Sequence, residues 1–129
     1  MNIHHIAIAT HDIQASAEVY KQLGYKIGNV VDDDVRRVRI CFVSLNGVCF
    51  ELVQPLSVDS PVSTILKKSA HDSLYHVCYQ VADVPKSIKH FSDLGFICIS
   101  RMEPAPAIDG KRVIFMFHKR LGLIELVEE

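Results

Sequence analysis

The sequence predicts an α+β fold built from two copies of one βαβββ module. Residues 3–27 lie over residues 74–98 without a gap, with His5/His76, Asp12/Asp83, Ser16/Ser87, Leu23/Leu94 and Gly24/Gly95 identical. Phe50-Glu51-Leu52-Val53 and Ile124-Glu125-Leu126-Val127 then end the two copies in the same way. In each copy a β-rich run gives way to helical spacing just after the shared Asp, so strand and helix recur in the same order.

Residues 3–10 read as the opening strand. Asp12 is a suitable N-cap, because its carboxylate accepts from the first free backbone N–H groups of a helix. Ile13, Ala17, Tyr20 and Leu23 follow at helical spacing, and Gly24 provides a left-handed stop, predicting a helix over 13–23. A short strand is expected near 25–31. Residues 37–45 then run into Asn46-Gly47, a strong hairpin signal, and return as 48–54. The second copy repeats this order. Asp83 caps a helix over 84–94, with Pro85 in its first turn, where a missing N–H costs little. Strands follow near 96–101, at 111–118 and at 122–128, the last two joined by a turn at Arg120-Leu121-Gly122. The chain is thus expected to form a single domain, with module 1 over 1–56, a connector over 57–72 and module 2 over 73–129. Within the connector, Asp59-Ser60-Pro61 should cap a short helix through Val62, Ile65 and Leu66 to Lys68.

Composition limits the function classes. In 129 residues, hydrophobic types make up 49% and charged types 22%, which is enough apolar material for a core and excludes a disordered chain. A formal net charge of −1 lacks the basic excess that nucleic-acid backbones require. No apolar run approaches the roughly 20 residues of a membrane span, and the N-terminus lacks a signal-peptide pattern, so a cytoplasmic location is expected. Cys41, Cys49, Cys78 and Cys98 form no CxxC pair and read as buried thiols, not as zinc ligands. Asp32-Asp33-Asp34 beside Arg36-Arg37 reads as a solvated turn, and Lys111, Arg112, Lys119 and Arg120 as solvated charges.

Four residues do not fit a plain core. His5 and His76 occupy equivalent positions on the opening strands, and Glu51 and Glu125 on the closing strands, each Glu inside an apolar run. A buried carboxylate without a partner costs several kcal/mol, so each Glu needs one. One divalent cation held by His5, Glu51, His76 and Glu125 satisfies both. Two imidazoles and two carboxylates suit Ni, Co, Zn, Fe or Mn, with one or two positions left for water or substrate.

His4-His5-Ile6-Ala7-Ile8-Ala9, Phe50-Glu51-Leu52-Val53-Gln54-Pro55-Leu56, Asp59-Ser60-Pro61, Tyr75-His76-Val77 and Leu123-Ile124-Glu125-Leu126 together resemble the vicinal oxygen chelate superfamily of glyoxalases, bleomycin resistance proteins and dioxygenases. The chain is most similar to its methylmalonyl-CoA epimerase and lactoylglutathione lyase branch. That resemblance implies a cupped eight-stranded mixed sheet around the metal, with helices outside, and the same four ligands. It implies proton transfer next to a carbonyl through a metal-stabilised enolate, with Glu125 and Glu51 as catalytic carboxylates. The implied substrate is a small acyl-CoA thioester, with a thiol hemithioacetal as the lyase alternative, and the implied assembly is a homodimer. Two other classes exist within the superfamily. A non-catalytic small-molecule binder lacks the full quartet, and an iron dioxygenase uses two His and one Glu.

Overall fold

The computed structural model describes residues 1–129. The chain divides into two compact units, residues 5–75 and residues 76–129 with 1–4.

In the first unit, β1 (Asn2–Ala9) leads to α1 (Ile13–Gln22), then β2 (Lys26–Asp33), β3 (Val38–Leu45), β4 (Val48–Pro55) and α2 (Pro61–Leu66). The strands lie in the order β2-β3-β4-β1, with β1 parallel to β4 and the other pairs antiparallel. The Asp12 carboxylate accepts from the backbone N–H of Ala15 at 3.0 Å, so the predicted cap starts α1. Asn46 and Gly47 both take positive φ, 52° and 82°, as a two-residue hairpin turn with the twist of its strands requires. α1 covers one face of this half-sheet, where Ile13, Cys41, Val43 and Leu52 form a core with Tyr20 and Phe50 against it. The Ser16 hydroxyl donates to Asp72 at 2.7 Å and ties the connector to α1. Burial, with the Asp72 charge and Tyr25 as lesser causes, pushes the Tyr20 phenol up.

In the second unit, β5 (Ser73–Val81) leads to α3 (Val84–Asp93), β6 (Ile97–Cys98), β7 (Glu103–Pro104), β8 (Arg112–His118) and β9 (Gly122–Glu128). The order is β5-β9-β8-β6, with β7 also on β8, and β5 is parallel to β9. The Asp83 carboxylate accepts from Lys86 N–H at 3.0 Å, repeating the first cap. Phe91, Phe96, Met116, Ile124 and Leu126 fill the space beneath α3. Because Asp83 leads an exposed helix start, Asp83→Ala should lower stability by about 1 kcal/mol in urea titration. A change below the error of the titration would show that packing alone sets this helix.

Three expectations need correction. The chain has nine strands where eight are predicted, and the strand predicted near 96–101 shrinks to Ile97–Cys98. The Ser100 hydroxyl accepts the Phe115 N–H at 2.8 Å, so a side chain takes the donor that a longer strand would use. The chain then returns to β8 as the extra strand β7. The acidic run is not uniformly solvated either. Asp33 is only 1% exposed, and its carboxylate accepts from the backbone N–H groups of Val35 and Arg36 and from the Arg36 guanidinium at 2.7 Å. It organises the turn into β3, whereas Asp32 pairs with Arg39 near the surface. Finally, Cys41 and Cys78 are buried as expected, but Cys49 is half-buried and Cys98 is exposed on the short edge strand. No helix is long and apolar enough to cross a membrane.

Candidate metal centre

Strand alternation divides each half-sheet into two faces. On β4, Leu52 joins the core under α1, so Glu51 points to the other face. His5 on β1 points to the same side. Both are buried, and His5 Nε2 lies 3.6 Å from Glu51 Oε2. Ala7 on β1 and Phe42 on β3 stand directly opposite Glu51 in register. The Phe42 ring meets the His5 imidazole edge-on, with centroids 5.3 Å apart.

The second unit repeats this arrangement. Leu126 belongs to the core under α3, so Glu125 points away from it. His76 and Glu125 are both buried, with His76 Nε2 3.6 Å from Glu125 Oε1. Cys78 and Phe115 stand opposite Glu125 in register. The Phe115 ring meets the His76 imidazole edge-on at 5.2 Å. The two rings are fixed by matching aromatic contacts, so duplication extends beyond the residues that carry chemistry.

The structure therefore brings His5 to Glu51 and His76 to Glu125, each pair within its own unit. A separation of 3.6 Å is longer than a good charge-assisted hydrogen bond of about 2.7–2.9 Å. It does match two donors on one ion, since bonds of about 2.0–2.2 Å at angles of about 110–120° put donor atoms roughly 3.3–3.8 Å apart. Neutral imidazole nitrogen and carboxylate oxygen are also the donor set expected for a borderline divalent metal. The residues present fit such an ion. Burial first, and then the Glu51 charge, push the neighbouring Cys49 thiol up.

Sequence reasoning missed Phe42 and Phe115, although each is a Phe in the strand immediately before a site Glu. Of the charges read as solvated, Arg112 is engaged. Its guanidinium donates to Glu128 at 2.9 Å, and that contact holds the Glu128 carboxyl below the usual carboxylate range.

Residues 4–115 match the family model of the glyoxalase/bleomycin resistance protein/dioxygenase superfamily. The chain belongs to this superfamily. The ethylmalonyl-CoA/methylmalonyl-CoA epimerase of Cereibacter sphaeroides is 31% identical over 96% of this chain and 95% of its own length. The mitochondrial methylmalonyl-CoA epimerase of Homo sapiens is 31% identical over 96% of this chain and 72% of that protein. A Streptomyces coelicolor methylmalonyl-CoA epimerase variant in complex with 2-nitronate-propionyl-CoA superposes with a TM-score of 0.84. It is 27% identical and the match covers 100% of this chain and 94% of that one. The superfamily fold, α+β with a mixed sheet, is thus shared over the full chain.

Proposed function

We propose that this protein is a divalent-metal-dependent epimerase that moves the proton next to the carbonyl of a small acyl-CoA thioester. The observation that carries the reading is the twice-built, buried His–Glu pair in a chain 31% identical to an ethylmalonyl-CoA/methylmalonyl-CoA epimerase. In this reading His5, Glu51, His76 and Glu125 all serve one ion. Its support is the equivalence of the two pairs and the match of each to metal-donor spacing. When bound, the cation supplies Lewis acidity to the thioester oxygen, which makes the adjacent C–H acidic enough to ionise.

The remaining work belongs to the chain. His5 and His76 donate as neutral imidazoles, held in orientation by Phe42 and Phe115. Glu125, as carboxylate, takes the α-proton and becomes the carboxylic acid, leaving an enolate. Glu51, entering as the carboxylic acid, gives its proton to the opposite face of that carbon and becomes the carboxylate; proton exchange with solvent resets the pair. Return from that face inverts the centre, and return from the original face is silent apart from isotope exchange. The two aromatic rings also exclude water on one side of the imidazoles, which strengthens every charge interaction at the site. Dimerisation is part of this proposal, since β2 and β6 each end a strand order with an unpaired edge.

The test is α-proton exchange of methylmalonyl-CoA in deuterated water, followed by mass spectrometry. Exchange should be rapid and should fall about a hundredfold or more after chelation, in line with the several kcal/mol a Lewis acid contributes. Adding back a divalent ion should restore it. Full exchange in chelated, metal-free protein would refute the metal-dependent reading.

A further inference from the structure

The two units carry their His–Glu pairs on equivalent faces, yet the positions leading outward from those pairs differ in chemistry. In the second unit, Leu123 lies opposite Phe117, and Phe117 lies opposite Ile97. Phe117 is two residues beyond Phe115, which touches His76, so all three face the same side as the His76–Glu125 pair. Ile99 continues the row, its N–H donating to the Phe115 carbonyl at 3.0 Å. Exposure rises along this path. Phe115 and Leu123 are half-buried, whereas Phe117, Ile99 and Ile97 are 42%, 54% and 61% exposed.

In the first unit the same register positions are Cys49, Ser44 and Lys26, with Gly28 in place of Ile99. A shared backbone pattern thus presents an apolar row in one unit and small or polar groups in the other. The contrast does not come from the core, because Met116 and Ile114 on the opposite face already fill the space under α3.

We propose that Ile97, Ile99 and Phe117 are specificity-determining residues that hold an alkyl chain carried on the α-carbon of the thioester. This rests on the epimerase reading above and names its substrate class as a 2-alkylmalonyl thioester longer than methyl. Sheet spacing places Phe117 about 8 Å and Ile97 about 12 Å from Glu125, taking two residues along the strand and one or two strands across. A methyl or ethyl branch at the reacting carbon cannot span that distance, whereas a chain of roughly five to eight carbons can. The continuous rise in exposure from the buried pair to the edge strand fits a chain anchored at the pair and leading outward. A contact with a second copy of the protein would not require the row to begin at the His–Glu pair.

The experiment compares α-proton exchange across methyl-, propyl-, butyl- and hexylmalonyl-CoA. For the unmodified protein, kcat/KM should change little from methyl to butyl and rise about four- to sixteenfold from butyl to hexyl, as burial of two further CH2 groups on a partly covered surface implies. Ile97→Lys and Phe117→Ser, which install the residues of the other unit, should flatten that dependence. Phe117→Leu should retain it, and serves if the polar variants do not fold. A flat or falling dependence in the unmodified protein, with methylmalonyl-CoA exchanged, would overturn this inference and leave the epimerase reading intact. No exchange with any thioester would overturn both. A preserved dependence in Ile97→Lys, together with loss of a dimer in light scattering, would assign the row to contact between copies and overturn the inference.

Discussion

Glu125→Gln is expected to lower α-proton exchange by about 10²–10⁴-fold, the effect typical of removing a general base. Glu125 is buried beside His76, opposite Phe115 and Cys78 in the ladder. The amide has the same shape and keeps an oxygen donor, so much of the metal should remain. It cannot accept a proton at neutral pH, so the chemistry should fail while the site persists. Elemental analysis beside the exchange assay separates the two effects. Glu51→Gln should leave isotope exchange at the original face largely intact but suppress inversion, because Glu51 serves the opposite face of the carbon. His5→Ala and His76→Ala remove a neutral donor from each pair and should act mainly on occupancy. Undiminished exchange in Glu125→Gln with unchanged metal would exclude the proposed base, and unchanged metal in His76→Ala would exclude the ligand set.

Leu126→Ala should destabilise the protein by about 2–5 kcal/mol, a large share of the roughly 5–15 kcal/mol expected for a domain. Leu126 is fully buried in the core with Phe91, Phe96 and Met116, so its truncation removes contacts on every side. Leu52→Ala should cost a similar amount in the other unit, because Leu52 is equally buried against Ile13, Cys41 and Val43. Each leucine directly follows a site Glu and points to the opposite face. The substitutions therefore test whether a site built on one face depends on packing of the other. Urea titration with an unchanged slope measures the loss, and a change below about 1 kcal/mol would show that these cores repack freely.

Much of this molecule was legible in order along the chain. The duplication, the Asp12 and Asp83 caps and the Asn46-Gly47 turn are local signals. The caps and the turn each depend on residues within four positions of one another and form as read, and the duplication is visible by laying the chain on itself. Strand alternation was enough to group His5 with Ala7 on β1 and Glu51 with Cys49 on β4, and likewise within β5 and β9. Pairing each His with its Glu needed the register between strands. The remaining features depend on groups far apart in sequence. Ser100 ends the β6 ladder by taking the Phe115 N–H, fifteen residues away, and nothing in the local string distinguishes that hydroxyl from a solvated one. Asp33 is buried because the chain turns over it and Arg36 closes the turn, whereas Asp32 beside it stays near the surface. Phe42 and Phe115 acquire their role only when hairpin register sets each opposite a site Glu and against a His. The sequence by itself determined the two-module order of strands and helices, the helix caps and the hairpin turn, because those signals are local. Tertiary structure decided which backbone donors the polar side chains would meet and which rings would cover the imidazoles, since register and burial are properties of paired segments and not of either segment alone.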